Sequence, residues 1–271
     1  MINTRKKVGL ALGSGGARGI AHVGVIKSLL ENNIPIDYIA GTSIGAWVGA
    51  YYAIHQDIEK LEYAAIEYKR EKLFALFEPS FKGGLVKGKK VTKVLKQSFG
   101  DKTFEDLKTP LSVVTTDLIS GKELIINSGL IVPAVQASMA IPLMFQPVRY
   151  KEALLVDGGL INPLPDDVAR GMGADVVIAV NLDHDVEANQ MIDKKITLKK
   201  TAVRSSQIIR HYLSHYSATD AEIVIKPELP ELGLIAMKDY ILDRNSDKLV
   251  VSGKVATEKN IEHIKQLINN S

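Results

Sequence analysis

Short apolar runs alternate with helix-length amphipathic runs along most of this chain, and no other feature constrains its fold as strongly. Residues 8–12 read as a strand. A glycine-rich turn follows, then a helix over 20–32 that Asn33 and Pro35 end. Residues 36–40 form a second short strand, and another helix begins after Ser43. A charged helix runs over 57–70, with Lys60/Ala64 and Leu61/Ala65 at helical spacing. Strands over 111–116 and 122–127 flank a turn at 117–121. Next come a short helix at 133–139, a strand at 153–156, a helix at 165–172 stopped by Gly173, and a strongly apolar strand at 175–182. The chain closes with a helix at 201–217, a strand at 223–225 and a helix over 247–269 that contains Gly253. This alternation predicts an α/β class with a mostly parallel sheet and helices on both faces. Ligands on such sheets bind at the carboxyl ends of the strands, so residues just after strands carry the functional signal.

Length and composition narrow the class. The chain has 271 residues, which suits one large α/β domain. No internal repeat or low-complexity linker divides it, so one domain over 1–271 is expected. Residues 73–102 are the best candidate for an inserted cap: Phe74, Leu76, Phe77 and Phe81 mix there with Gly83-Gly84 and many lysines. Cysteine is absent, which excludes a thiol nucleophile, a Cys-ligated metal site and a disulfide-built scaffold. The 34 Lys+Arg against 31 Asp+Glu leave a net charge of +3, too balanced for a dedicated nucleic-acid binder. Arg5-Lys6-Lys7 before the first strand imitates a secretory signal. The apolar run that follows is shorter than the usual ~7–15 residues, and glycines and Arg18 interrupt it, so a cytoplasmic protein is expected. Two uncharged stretches, 38–56 and 124–148, read as buried core segments. The first repeats Gly41, Gly45 and Gly49 as a membrane helix dimer would, but also holds Thr42, Ser43, His55 and Gln56. The second contains Pro133, Pro142 and Pro147.

Gly41-Thr42-Ser43-Ile44-Gly45 matches G-x-S-x-G between a predicted strand and a predicted helix, the context in which this motif marks a nucleophile. A sharp turn there strains the serine backbone, and the residues two before and two after it must lack side chains. The hydroxyl then stands at a helix N-terminus, where free N–H groups and the dipole favour developing negative charge. A tight turn of small residues is the plainer reading of the same pattern.

Gly13-Ser14-Gly15-Gly16-Ala17-Arg18-Gly19 also lies between a strand and a helix, and its successive small residues would expose backbone N–H groups as an anion nest. A dinucleotide fingerprint wants a small residue where Arg18 stands and an acid near Gly41. A P-loop wants Gly-Lys-Ser/Thr, which Arg18-Gly19-Ile20 does not supply. An oxyanion hole for Ser43 is the third reading, and the presence of both loops favours it. A phosphate-binding, non-enzymatic Rossmann-like module remains an alternative.

A serine nucleophile needs a proton acceptor. Of six histidines, only His184 falls clearly after a strand, in Asp183-His184-Asp185. It reads as a triad histidine, a metal ligand with its flanking acids, or a solvated loop residue. His211 and His215 follow Asp157 in the order of an α/β-hydrolase triad, but lie four apart on a helix, as surface residues do. Asp157 is the better candidate: it ends an apolar strand, and Gly158-Gly159 leave room beside it. Asp-Gly is also a common turn pair.

Taken together, Gly13 to Gly19, His22-Val23-Gly24-Val25, the Gly41 to Gly45 motif, Ala137-Ser138 with Pro142, and Asp157-Gly158-Gly159 with Asn162 and Pro163 resemble the bacterial branch of the patatin-like phospholipase family. These blocks cover about residues 8–182. The resemblance implies a three-layer α/β/α fold and hydrolysis of carboxylic ester bonds in lipids without a metal or other cofactor. It implies Ser43 as nucleophile, Asp157 as base and the N–H groups of Gly15, Gly16 and Ala17 as oxyanion hole. Arg18 would brace that loop through carbonyl or carboxylate partners, and His22 would be structural. Gly13, Gly19, Gly41, Gly45, Gly158 and Gly159 are the motif glycines. Ser14 stands where many members have glycine. The partner expected is a lipid or ester substrate. Lys82, Lys87, Lys89, Lys90, Lys93, Lys96 and Lys102, with Phe74, Phe77 and Phe81, would suit peripheral contact with anionic membrane, or simply a solvated helix.

Overall fold

The computed structural model describes residues 5–66, 88–184, 197–229 and 246–269. Its strands are β1 (Val8–Leu12), β2 (Tyr38–Thr42), β3 (Leu111–Asp117), β4 (Glu123–Ile126), β5 (Val148–Tyr150), β6 (Ala153–Asp157), β7 (Val176–Val180) and β8 (Ile223–Ile225). Its helices are α1 (Ala21–Glu31), α2 (Ile44–His55), α3 (Ile58–Ile66), α4 (Gly88–Phe99), α5 (Ile131–Ser138), α6 (Asp166–Gly171), α7 (Leu198–Ser217), α8 (Ser246–Glu258) and α9 (Ile261–Asn269). All eight strands join one sheet in the order β5-β6-β3-β2-β1-β7-β8, with β4 also on β3. The run β3-β2-β1-β7-β8 is parallel, while β4 and β6 are antiparallel to β3. The sheet is therefore mostly parallel and flanked by helices, as the alternation predicts.

The alternation of residue size along the central strands explains the layers. Val8, Leu10 and Leu12 of β1 and Val176, Ile178 and Val180 of β7 face one large core. Ala11, Ala40, Val177 and Ala179 face a second, thinner core closed by Leu164, Val168 and Ala169. Strand side chains alternate faces, so a large–small pattern lets a close layer pack on one side and a deep one on the other. A Cβ on Gly9 would come within 2.7 Å of Ala174 Cβ, so α6 and the turn after it sit almost against the sheet.

The edge of β3 positions the site. Pro110 and Leu118 direct their backbone bonds to β2 and β6, whereas Asp117 bonds to Lys122 beside β4. Residues of one parity in a strand point to one edge, so β2 and β6 share one edge of β3 and β4 takes the other. β2 ends with Thr42 opposite Val114, and β6, running the other way, ends with Asp157 opposite Thr115. Their carboxyl ends meet head to head.

Several expectations are adjusted. The helix expected over 247–269 is two helices, α8 and α9, separated at Lys259 and Asn260. There Asn260 turns its side-chain amide back to the Ala256 carbonyl at 3.0 Å. Strand β5 has no strong apolar signal, because it is a short edge strand of half-exposed residues. Residues 73–87 of the basic segment lie outside the described residues. Its described part, α4, buries Val91, Leu95 and Phe99, with Lys93 exposed. Lys96 pairs with Asp101 at 3.1 Å and Lys102 with Asp106 at 3.7 Å. Among the described residues no helix is long and apolar enough to cross a membrane.

Gly253 has a packing role. α1 crosses α8 so closely that a Cβ on Gly24 would fall 1.8 Å from the Val250 carbonyl oxygen, and one on Gly253 2.0 Å from that of Ala21. Both contacts are to backbone, which cannot rotate away. Gly24→Ala should therefore cost about 3 kcal/mol or more. Gly171→Ala, whose Cβ meets nothing within 4 Å, should stay within about 1 kcal/mol of the parent. Urea midpoints of the two variants check this.

Candidate active site

Ser43 is the N-cap of α2, with φ 57° and ψ −118°. A non-glycine residue held there stores about 1–3 kcal/mol of strain, which the surroundings must enforce. The flanking glycines show how. A Cβ on Gly41 would sit 2.7 Å from the Ala46 backbone, and one on Gly45 2.0 Å from the Leu12 carbonyl oxygen. Neither position admits a side chain, so the turn is as sharp as G-x-S-x-G implies. Ser138 Oγ accepts the Ser43 N–H at 2.8 Å and donates to the Val114 carbonyl at 2.6 Å. That carbonyl sits where β2 and β6 end, so Ser138 ties both strand ends to the Ser43 turn.

Ser43 Oγ donates to Asp157 Oδ2 at 2.7 Å, and both residues are buried. The other carboxylate oxygen accepts the Gly159 N–H at 2.8 Å. Burial raises the Asp157 pKa to about 6, against the opposing pull of the Ser43 and Gly159 hydrogen bonds and of the Arg210 charge. A carboxylate with a pKa near 6 is a far better base at neutral pH than one near the ordinary ~3.9.

The glycine-rich loop closes the opposite side. Residues Gly16–Ile20 form a short 3-10 helix before α1. Gly15, Gly16 and Ala17 line a cavity of about 130 Å³ together with Ser43 and Asp157. Among the described residues their N–H groups have no hydrogen-bond partner in the protein. A Cβ on Gly19 would lie 2.2 Å from the Ile44 side chain, so the loop presses against the Ser43 turn. His22 is fully buried, and its Nε2 lies 2.8 Å from the Gly13 carbonyl, to which it must donate. Gly158 rests on the Val114 carbonyl with no room for a side chain.

Arg18 braces the loop as its chemistry suggests, through Nε to the Gly15 carbonyl at 3.4 Å and Nη2 to Asp183 at 2.5 Å. Asp183 is the residue that sequence reasoning placed in the wrong setting: not a solvated or metal-binding loop, but a buried anion. It also accepts from Ser14 Oγ at 2.7 Å and Arg210 Nε at 3.0 Å. Burial works against its charge, but Arg210 and Arg18 outweigh that and hold its pKa at about 2. The serine at position 14 thus contributes a hydroxyl that a glycine would lack. Ser138 is marked in the sequence only as part of the Ala137-Ser138 block, without a role, and Arg210 carries no sequence signal, because it acts through a partner distant in the chain.

The histidines fall elsewhere. His184 Nδ1 lies 2.9 Å from the Asn181 carbonyl, and His211 Nδ1 lies 2.8 Å from that of Asp183. Among the described residues none of the cavity-lining side chains is a histidine, and no group of three or more His, Asp or Glu comes together as a metal site would need. Asp185, half of the metal reading of His184, lies outside the described residues.

A model of the patatin-like phospholipase family matches residues 10–170. The chain belongs to the patatin-like phospholipase family. An uncharacterized NTE family protein of Mycobacterium bovis is 38% identical to it over 178 residues, covering 65% of this chain and 49% of that protein. Human patatin-like phospholipase domain-containing protein 6 is 35% identical over 188 residues, covering 67% of this chain and 14% of the human one. Lysophospholipase nte1 of Aspergillus fumigatus is 37% identical over 189 residues, covering 65% of this chain and 12% of the fungal one. The chain therefore spans about half, or much less, of the length of these relatives. Its fold is similar to that of VipD from Legionella pneumophila, with a TM-score of 0.60 at 14% identity, covering 96% of this chain and 67% of that one. All the motif blocks of this chain up to Asn162 and Pro163 fall within the matched residues, whereas Asp183 and Arg210 lie beyond them.

The raised Asp157 pKa has a sign that stability can read. Below about pH 3.9 the carboxyl is protonated in both folded and unfolded chains. Above it the unfolded chain ionises freely while the folded one resists until about pH 6, so Asp157 destabilises the fold increasingly across that window. Asp157→Asn should match the parent near pH 4 and exceed it at pH 8 by up to about 3 kcal/mol. Urea unfolding at the two pH values checks this. Equal stability at both would mean that burial does not govern this carboxyl.

Proposed function

We propose that this protein is a serine acyl-hydrolase of lipid esters that works through a Ser43–Asp157 dyad. The observation that carries the reading is the 2.7 Å Ser43 Oγ to Asp157 Oδ2 hydrogen bond beside a loop of unpartnered N–H groups. In acylation, Asp157 takes the Ser43 proton as Oγ attacks the ester carbonyl. The N–H groups of Gly15, Gly16 and Ala17 receive the oxyanion, and losing one such donor typically costs ~10²–10³ in rate. Asp157 returns the proton to the leaving alcohol as the carbon–oxygen bond breaks, leaving acyl-Ser43. Water then attacks with Asp157 as base, releasing the fatty acid and restoring the hydroxyl. The helix α2 N-terminus and the strained serine backbone hold the nucleophile ready, so no step needs a histidine. The apolar wall of Ile141, Pro142, Leu143 and Met144 suits an acyl chain. The reading treats the described residues as one catalytic unit, supported by the single sheet they share. It also includes action at a lipid surface from the cytoplasm, with the basic segment through Lys82 to Lys102 as the contact.

A fluorophosphonate should label the protein, and Ser43→Ala should abolish the labelling. Turnover of a short-chain ester should fall by about 10²–10⁴ in Asp157→Asn and survive in His184→Ala and His211→Ala. Because Asp157 must be ionised to act, kcat/KM should rise with pH on a single limb with a midpoint near 6. Full loss of turnover in either histidine variant would replace the dyad with a triad.

A further inference from the structure

Helix α7 walls the Ser43 cavity with Ala202, Ser206 and Arg210, spaced four apart on one face. The neighbouring face of the helix points to solvent, yet it is apolar. Ile209 and Tyr212 are each 54% exposed and Tyr216 is 73% exposed, with Ile208 beside them. The spacing of Ile209, Tyr212 and Tyr216 by three and four residues aligns them along the helix, about a quarter turn from the cavity stripe. No other described helix leaves more than two large apolar side chains exposed, so this stripe differs from the single exposed residues that any surface carries. Each tyrosine ring packs edge-on against the histidine before it, at centroid distances of 5.1 and 5.8 Å. Elsewhere on the cavity lining, Leu143 is 56% exposed, and its φ of 67° is one that a bulky residue adopts only under constraint. The site is thus bordered by exposed apolar groups from two separate elements.

We propose that the outer stripe of α7, with Leu143 at the cavity rim, is a docking face for an anionic lipid surface. This rests on the acyl-hydrolase reading and adds the surface through which that site meets its substrate, separate from the basic segment. Charge favours this occupant: over its 20 residues α7 has Lys199, Lys200, Arg204 and Arg210 but no Asp or Glu. A helix with an apolar stripe, basic residues and no carboxylate has the chemistry of one that lies in a membrane interface. Tyrosine suits that depth, since its ring is apolar and its hydroxyl stays among the headgroups. Continuity with the cavity favours it as well. A lipid leaves its aggregate at low cost only where apolar surface leads from the aggregate into the site, and here the stripe and the cavity wall are adjacent faces of one helix. α7 lies beyond residues 10–170, the part matched by the family model, so the family match does not supply this face.

Flotation of the Ser43→Ala protein with vesicles separates docking from turnover. Vesicles of phosphatidylcholine with phosphatidylglycerol should carry the protein, and pure phosphatidylcholine should carry less. Adding Ile209→Gln and Tyr216→Gln should weaken the partition by about ten- to a hundredfold, as loss of buried apolar side chains does. Val251→Gln with Val255→Gln, an exposed pair on α8, is the control and should change it little. With Ser43 restored, the α7 variant should hydrolyse a soluble short-chain ester like the parent, which also shows that it is folded, and should lose rate only on vesicles. Parent protein that does not float, an α7 variant that floats like the parent, or equal loss in the α8 control would overturn the docking face. So would an α7 variant that converts a dimer to a monomer with vesicle binding unchanged, since the stripe would then be covered by a second copy of the chain. Stripe-dependent flotation without fluorophosphonate labelling of Ser43 would keep the docking face and overturn the acyl-hydrolase reading.

Discussion

The site depends on one shared strand edge. β3 offers the same edge first to β2 and then to β6, which runs the opposite way. Two carboxyl ends are thereby brought face to face, an arrangement that a purely parallel sheet cannot produce. Ser43 leaves one end and Asp157 the other, and the buried Val114 carbonyl between them accepts from Ser138. The switch from parallel to antiparallel pairing along β3 is thus the step that turns two strand-end motifs into one hydrogen-bonded pair.

Electrostatics then divides the labour between two buried carboxylates. Asp157 has hydrogen bonds but no direct cation, so burial dominates and its proton affinity rises. Asp183 has two arginines and a serine hydroxyl, so its charge is kept. The first is suited to exchanging a proton, the second to holding Arg18 and, through it, the loop of free N–H groups. Two acids in one site take opposite characters because their partners differ, not because their burial does. The pair also explains why the last third of the chain matters. Arg210 on α7 and the turn after β7 complete a centre whose motifs lie earlier, and α8 locks α1 behind the loop by glycine-to-backbone contact.

Much of this was legible in the residues. The strands β1, β3, β7 and β8 were readable because buried parallel strands are nearly continuous apolar runs bounded by turn residues. Gly13, Gly41 and Gly45 were readable because close approach of backbone leaves no other choice of residue. Ser43 and Asp157 were readable as strand-end residues with clearance beside them. Less was legible where the signal is weak or relational. β5 is an exposed edge strand, and the break between α8 and α9 follows an asparagine side chain that turns back on its own helix. Asp183 looked like a loop acid, since nothing local announces two arginines arriving from positions 18 and 210.

The sequence by itself determined the layer order, the sharp serine turn, the N–H-rich loop and the absence of thiol chemistry, because each follows from local sterics, periodicity or composition. Only the tertiary structure decided which groups meet. The 2.7 Å contact between residues 114 positions apart depends on strand direction within the sheet. The character of each carboxylate depends on cations brought from distant helices. Those are long-range properties of packing and of a low-dielectric interior, and no stretch of chain carries them alone.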